Sequence, residues 1–530
     1  MDFSCFQPRF LSQTFLQAFL QTVLRAWLPL RSLIALCLAI LIWLTAPAAG
    51  LAQSGGIQPY INRVMRQITE FQLGNGMKFI VMERHQSPTI SFMTYVNVGS
   101  AYEQSGKTGA AHFLEHLAFK GTTQIGTQNY KSEKPLLDQL DRLFQQLKAA
   151  KAAGQTQQVV QLQRQFDQEK VKAAALVRQN EFGQIVQQAG GVGLNATTSA
   201  DATRYFYSFP SNKLELWMSL ESERFLQPVF REFFEEKNVI LEERRMRTDN
   251  SPIGRLVESF LEAALPNHPY GRPVIGYETD LRNLAPSDVR QLYDSYYTPN
   301  HIIIGIAGDV NPKQVKQLAE AYFGRYQSQS QSVDIKVTAS AQTQPRSITV
   351  NVPAEPWYME GYQRPAITDP DNAVYQMIAS ILTGGRTSRL YRSLVEQQLA
   401  LSTSVSATFP GDRYSNLMLL YAQTAPGHTI EQIATVINAE LNRLKTEPVS
   451  AAELDQVKTQ ARASLLVSLN SNQGMASLLP EYEAKTGSWR HLFEELKQID
   501  AVTAADVQRV AKQLFQPQNQ TVGKLLAGSG

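Results

Sequence analysis

The sequence predicts an α+β chain of two related units side by side, with a helical hairpin inserted in the first. Three observations carry this. Strand-like and helical stretches alternate on both sides of a Gln- and Ser-rich segment, residues 327–346, which reads as an interdomain linker. Between residues 131 and 179 that alternation gives way to helical spacing alone. The composition, 43% hydrophobic with 24 Phe and 20 Tyr and only 18% charged, is that of a folded globular protein and excludes disorder or a coiled-coil filament. At 530 residues the chain exceeds one ordinary domain. Its 50 Lys and Arg against 47 Asp and Glu leave a formal +3, too little to make nucleic acid the main partner.

The amino terminus reads as a leader. Residues 33–44, LIALCLAILIWL, form a short apolar run with Arg25 and Arg31 before it and APAAGLAQ after it. That order suits a signal peptide better than a membrane span, with Gly50 and Ala52 placed for cleavage before Gln53; a retained anchor is the alternative. Removing residues 1–52 takes away Arg9, Arg25, Arg31 and Asp2, net +2, and leaves a nearly neutral body of charge +1. Cys5 and Cys37 leave with it, so the mature protein has neither a disulfide nor a thiol nucleophile, which fits export to a periplasmic, lumenal or extracellular space.

In the first unit, taken as residues 53–326, FIVMER, ISFMTYVNVGS and YFYSFP have strand character, and HIIIGIAGDV is a buried strand closed by Gly308 and Asp309. Within it, Leu136, Leu140, Leu143, Leu147, Leu162 and Phe166 keep helical spacing amid Gln, Lys and Asp. They predict a hairpin projecting from the surface and turning near Gly154. In the second unit, residues 347–530, ITVNVP, STSVSATF and LMLLYAQT read as strands. AVYQMIASIL, TIEQIATVINAELNRL and AAELDQVKTQARASLLVSL read as helices.

The segment that carries chemistry is GAAHFLEHLAFKG, bounded by Gly109 and Gly121. On a helix Glu115 lies about 300° and His116 about 400° around from His112, so the three side chains project within about 100° of one another. Two imidazoles one turn apart are what a catalytic zinc uses, and the carboxylate between them is the candidate general base. The bland alternative, histidines decorating an amphipathic helix, would bury two imidazoles in an otherwise apolar segment without partners.

A third ligand must come from elsewhere. EFFEEKNVILEERRMR is rich in carboxylates, most of them a solvated face. Glu236 and Glu243, however, are about 20° short of two full turns apart and share a face with Val239 and Ile240. A carboxylate on an apolar face needs a partner; zinc serves Glu243, and Glu236 is placed to orient a ligand from behind. His268 and His301 read as structural, and His85, His428 and His491 have no chemical company in the sequence.

HFLEHLAFKGT, GLNATTSADATRYFY and EEKNVILEERRM, in that order, resemble the inverted-zincin peptidases of the pitrilysin and insulinase type, and among them the mitochondrial-processing-peptidase-like branch. The similarity continues through NHPYGRPVIGYETDL, YYTPNHIIIGIAGDVNP and LTGGRTSRLYRSL. The resemblance implies two homologous α+β domains forming half of a clamshell. It implies a zinc ion held by His112, His116 and Glu243, Glu236 behind them, and Glu115 as base. It further implies a strand, with Asn195 and Ala196, whose edge pairs with an extended peptide substrate. The GGVGLNA segment also imitates a dinucleotide-binding turn, but its glycines follow a helical stretch and no helix opens after them.

Two departures matter. His116 and Glu243 stand about fifty residues further apart than is usual in the family, and the insertion accounts for it. The Arg and Tyr that such enzymes carry in the second domain, for substrate and oxyanion, fall here on Val395 and Ser402. The expectation is a zinc endopeptidase that acts on peptides or unfolded segments in an enclosed chamber, as the metal-bearing subunit of a heterodimer whose homologous partner supplies that Arg and Tyr. A non-catalytic scaffold or peptide-binding subunit is the competing class.

Overall fold

The computed structural model describes residues 58–327, 335, 337 and 341–528. The leader, both cysteines and much of the linker lie outside the described residues. The chain divides into a segment ending at Arg66, whose described part is the helix Gln58–Arg66, and a body from Gln67 onward. Among the described residues no helix is long and apolar enough to cross a membrane.

The body is α+β, with a six-stranded sheet from the first half of the sequence and a five-stranded sheet from the second. The first holds β1 (Ile68–Gln72), β2 (Lys78–Glu83), β3 (Thr89–Val96), β4 (Val192–Thr198), β5 (Thr203–Pro210) and β6 (Ile302–Gly308) in the order β1-β2-β6-β3-β5-β4. Only β2 and β6 run parallel. The second holds β7 (Arg346–Val352), β8 (Trp357–Arg364), β9 (Ala400–Phe409), β10 (Asn416–Thr424) and β11 (Gln520–Ala527) in the order β7-β11-β8-β10-β9, with β7 and β11 parallel.

Between β3 and β4 lie α1 (Ala110–Leu117) and the hairpin helices α2 (Tyr130–Ala152) and α3 (Thr156–Ala174). After β5 come α4 (Leu214–Leu226) and α5 (Phe233–Arg244); α6 (Asn372–Thr383) and α7 (Asn472–Thr486) belong to the second half. Side chains of β5 alternate: Tyr205, Tyr207 and Phe209 are buried, while Arg204, Phe206 and Ser208 are half-buried, the period-two pattern of a strand with one covered face. On the covered face Phe92 of β3 stacks on Trp217 of α4 at 4.3 Å. By contrast β6, IIIGIAG, is buried at every position. Its other face is covered by α7, close enough that a Cβ on Gly305 would stand 2.1 Å from the Ala476 carbonyl oxygen. The first sheet is thus completed by a helix from the far end of the chain.

The hairpin turns at Gly154, whose φ of +67° suits glycine. It does not stand away from the body, as its polar composition suggested. Phe144 of α2 and Phe166 of α3 close on Phe234 of α5 at 5.1 and 4.8 Å. Leu140, Leu143, Leu147 and Leu162 are buried in the same core as the sheet, so the apolar stripe is docked on α5. Two smaller expectations also change. Val239 is exposed although Ile240 beside it is fully buried, because the face of α5 that carries Glu236 and Glu243 is only partly covered. His85 does have company: its ring nitrogens lie 2.6 Å from Asp309 Oδ1 and 2.9 Å from Glu83 Oε1 at the end of β2.

Candidate metal centre

The helix α1 is eight residues, AAHFLEHL, and needs help to start where it does. Gly109 before it has φ +86°, and a Cβ there would lie 2.6 Å from the Ile275 carbonyl oxygen, so only glycine fits. No side chain caps the helix locally. Instead the buried carboxylate of Glu103 accepts the Gly109 N–H at 3.0 Å and the Ala111 N–H at 2.8 Å, satisfying two donors that a helix start leaves open. Burial pushes the Glu103 carboxyl up to about 8 against the pull of those two bonds.

His112 and His116 then project from one side of α1, with rings 4.8 Å apart and 77° inclined. The helix α5 brings Glu243 against them. Glu243 Oε2 lies 3.8 Å from His112 Nε2 and 3.5 Å from His116 Nε2, and one ligand atom from each residue falls within 4.8 Å of the others. Tetrahedral zinc with ligands at about 2.0–2.2 Å sets its donors about 3.3–3.6 Å apart, so Glu243 Oε2 stands near that spacing from both imidazoles, and the set as a whole, spread over up to 4.8 Å, draws together to seat an ion. Immediately after Glu243 the helix widens into a π-turn, Arg245–Asp249. Arg247, one turn on, holds Glu243 Oε1 at 2.9 Å and leaves Oε2 facing the two imidazoles.

The electrostatics favour a cation. Burial, followed by the charge of His116, drives His112 down to about 4, so its imidazole is neutral. Burial also opposes charge on His116, but the hydrogen bonds that its ring donates to Glu236 and Glu243 outweigh this and lift the ring to about 9. Glu243 is held below the usual carboxylate range, first by its bond to His116. Two carboxylates therefore flank one imidazolium, Glu236 at Nδ1 and Glu243 at Nε2, and a divalent ion in place of the Nε2 proton would meet the same negative charges. His112 Nδ1 is buried without a hydrogen-bond partner among the described residues, which leaves that ring oriented by packing and by whatever its Nε2 meets.

Glu236 stands one step behind. Its Oε2 is 3.1 Å from His116 Nδ1 and its Oε1 is 2.5 Å from Lys120 Nζ. A carboxylate at Nδ1 turns the Nε2 lone pair toward the metal side. Glu115 lies between the two histidines on α1 and feels the charges of His116 and Glu243. Its Oε2 accepts a 2.6 Å hydrogen bond from Thr198 Oγ1, and burial raises its carboxyl against that bond.

Thr198 ends β4, which closes one edge of the first sheet and runs beside α1. Asn195 is exposed on β4 and its side chain accepts the Ala196 N–H at 2.9 Å; Ala196 is buried. Val395 ends a π-turn, Tyr391–Val395, and Ser402 lies exposed on β9, an edge of the second sheet. His268 and His301 lie away from the metal residues: His268 Nδ1 accepts the Tyr270 N–H, and His301 pairs with Thr298. A cavity of about 380 Å³ between the hairpin and α5 has none of His112, Glu115, His116 or Glu243 in its wall.

Sequence reasoning found the residues that repeat at helical spacing and missed four that meet them: Glu103, Lys120, Thr198 and Arg247. For Thr198 a signal existed, since alternation along a strand puts it on the same face as Ala196. Arg247 is one turn beyond Glu243. Lys120 likewise stands one turn beyond His116; Glu103 carries no such mark.

Known proteins resemble this chain over most of its length. A family model described as insulinase (peptidase family M16) matches residues 78–165 and 171–278, and one described as the peptidase M16 inactive domain matches residues 283–461. The zinc protease PqqE of Helicobacter pylori is 28% identical over 387 residues, covering 72% of this chain and 75% of its own. A crystal structure of a protease from Helicobacter pylori superposes with a TM-score of 0.73 at 26% identity, over 87% of this chain and 99% of that one. The periplasmic protease PqqL from Escherichia coli shares the fold, with a TM-score of 0.64 at 18% identity; the match spans 87% of this chain and 47% of that one.

Proposed function

Because this chain belongs to the insulinase family of peptidases, M16, we propose that it is an exported zinc-dependent endopeptidase in which His112, His116 and Glu243 hold the metal. The single observation that carries this reading is the convergence of those three side chains from two distant stretches of sequence, with Glu115 standing between the two histidines on α1. The name of the Helicobacter pylori relative, a zinc protease, supports the choice of metal.

A zinc ion at these donors supplies Lewis acidity, polarising a peptide carbonyl and acidifying water. The chain's own residues do the rest. His116 presents Nε2 because Glu236 takes its Nδ1–H. Thr198 fixes one oxygen of Glu115, leaving Oε1 to take a proton from the attacking water and to return it to the leaving amine. The free edge of β4, with Asn195 and Ala196, lies alongside α1 and offers main-chain hydrogen bonds to an extended peptide, a mode that reads backbone and tolerates many sequences.

The oxyanion side is incomplete in this chain, since Val395 and Ser402 donate nothing comparable to an Arg and a Tyr. The enzyme therefore works as one subunit of a heterodimer in the manner of the mitochondrial-processing-peptidase-like branch. Its partner, a homologous chain, closes the chamber and brings those donors. The 53–326 and 347–530 division, the cleaved leader and a periplasmic or comparable location complete the reading; the apolar run at residues 33–44 and the periplasmic assignment in the name of PqqL support export.

The test is zinc stoichiometry by elemental analysis together with cleavage of a fluorogenic peptide, with and without a co-expressed homologous partner. About one zinc per chain is expected, with turnover rising about 10²- to 10³-fold when the partner is present. Well-folded protein that takes up no zinc overturns the reading in favour of a scaffold or peptide-binding subunit. High turnover by the chain alone removes the need for a partner.

A further inference from the structure

One lysine below the metal centre is gripped at both its main chain and its side chain. Lys120 follows α1 by one turn from His116. Its Nζ bridges Glu236 Oε1 at 2.5 Å and Glu232 Oε2 at 3.2 Å. Its carbonyl oxygen accepts a 2.5 Å hydrogen bond from Arg231 Nη1.

Arg231 is fully buried and fully used. It also donates to the carbonyl oxygens of Ile125 at 2.9 Å and Thr122 at 2.6 Å, and to both oxygens of Glu133 at 2.9 and 3.2 Å. Glu133 is equally buried and stands in the first turn of α2. The foot of the inserted hairpin, the turn after α1 and the start of α5 are thus joined through one guanidinium.

The consequence is read at Glu236. A glutamate side chain has three rotatable bonds, and its carboxylate finds a fixed place only if both oxygens are engaged. Here they are divided: Oε1 to Lys120, Oε2 to His116 Nδ1. His112 has no such support, its Nδ1 being without a hydrogen-bond partner among the described residues. The orientation of the His116 imidazole therefore depends on the Glu236 carboxylate that Lys120 holds.

We infer that Lys120 is a positioning residue for the metal centre: it holds the Glu236 carboxylate so that His116 presents Nε2 to the metal, and the buried pair of Arg231 and the hairpin's Glu133 holds Lys120 in turn. This rests on the zinc reading above. It gives the insertion a task in the metal centre, and it assigns Lys120 a role through Glu236 without contact to substrate.

The experiment measures the zinc dissociation constant of the full chain by competition with a chromophoric chelator, for the natural protein, Lys120→Met and Lys120→Arg, with urea denaturation of each as the check on folding. Lys120→Met is expected to bind zinc about 10- to 100-fold more weakly, and Lys120→Arg to recover most of the loss because it restores the cation. Glu236→Asp, too short to span Lys120 and His116, carries the same expected weakening and serves if Lys120→Met does not fold. Natural zinc affinity in Lys120→Met or in Glu236→Asp overturns the role, as does an Arg variant no better than Met. Absence of zinc from the natural protein is a different result: it removes the metal reading itself and this role with it.

Discussion

Thr198 Oγ1 donates a 2.6 Å hydrogen bond to Glu115 Oε2, tying the end of the edge strand β4 to the carboxylate between the two histidines of α1. The residue that would move protons and the strand that would hold the peptide are therefore one mechanical unit. Replacing Thr198 with Val keeps the shape and removes the donor. A hydrogen bond to a charged group contributes about 1.5–3 kcal/mol, so peptide cleavage is expected to fall about 10- to 100-fold with zinc content unchanged, and Thr198→Ser to retain most activity. Steady-state kinetics beside metal analysis check this; a Val variant with natural kcat would free Glu115 from Thr198.

Glu115→Gln tests the base itself. The amide is isosteric and cannot accept a proton at neutral pH, and His112, His116 and Glu243 are untouched. Zinc content is expected to stay at the natural level while hydrolysis drops by at least about 10²-fold, the range that general-base removal gives. Unchanged hydrolysis in the zinc-loaded variant would assign proton transfer elsewhere.

The Arg231–Glu133 pair is buried on both sides with relative exposures of 0%. Removing one partner leaves a charge with no water and no counterion. Glu133→Leu is accordingly expected to cost about 3–5 kcal/mol of folding stability, read as a lowered midpoint and extrapolated free energy in urea denaturation of the full chain. A variant as stable as the natural protein would show that Arg231 is sufficiently held by the three carbonyl oxygens alone.

His268 supplies a pH dependence outside the metal centre. Burial, with the charge of Arg272 as a second cause, holds its imidazole down at about 4, and its Nδ1 already accepts the Tyr270 N–H at 3.0 Å. The unfolded chain binds a proton near 6.5 and the folded chain does not until about 4, so stability is fully present above about 6.5 and is lost as the pH falls through that window. Denaturation at pH 7.5 and 5 should show a drop that His268→Gln reduces; an equal drop in the variant would place the acid sensitivity in other groups.

Much of the architecture was legible. FIVMER, YFYSFP and HIIIGIAGDV became β2, β5 and β6 because continuous or alternating apolar side chains mark a strand whatever packs on it. Strand β8 was not read. At its centre Glu360 is fully buried, accepting hydrogen bonds from the hydroxyls of Tyr358 at 2.6 Å and Tyr362 at 3.0 Å. A buried carboxylate breaks the apolar pattern, and the tyrosines that satisfy it on either side announce nothing by composition. The hairpin helices were legible too, but their docking was not, since it depends on Phe234 of α5 filling the space between Phe144 and Phe166.

The order of His112, Glu115 and His116 along one helix, and of Glu236 and Glu243 along another, was decided by sequence alone, because helical geometry converts spacing of three, four and seven residues directly into a shared face. Which oxygen meets which nitrogen was decided by tertiary structure. Glu243 reaches both imidazoles and Thr198 reaches Glu115 only because packing brings separate segments within a few ångströms. The physical reason is range: helical periodicity acts over one or two turns, whereas a hydrogen bond between elements exists only after packing has fixed both ends.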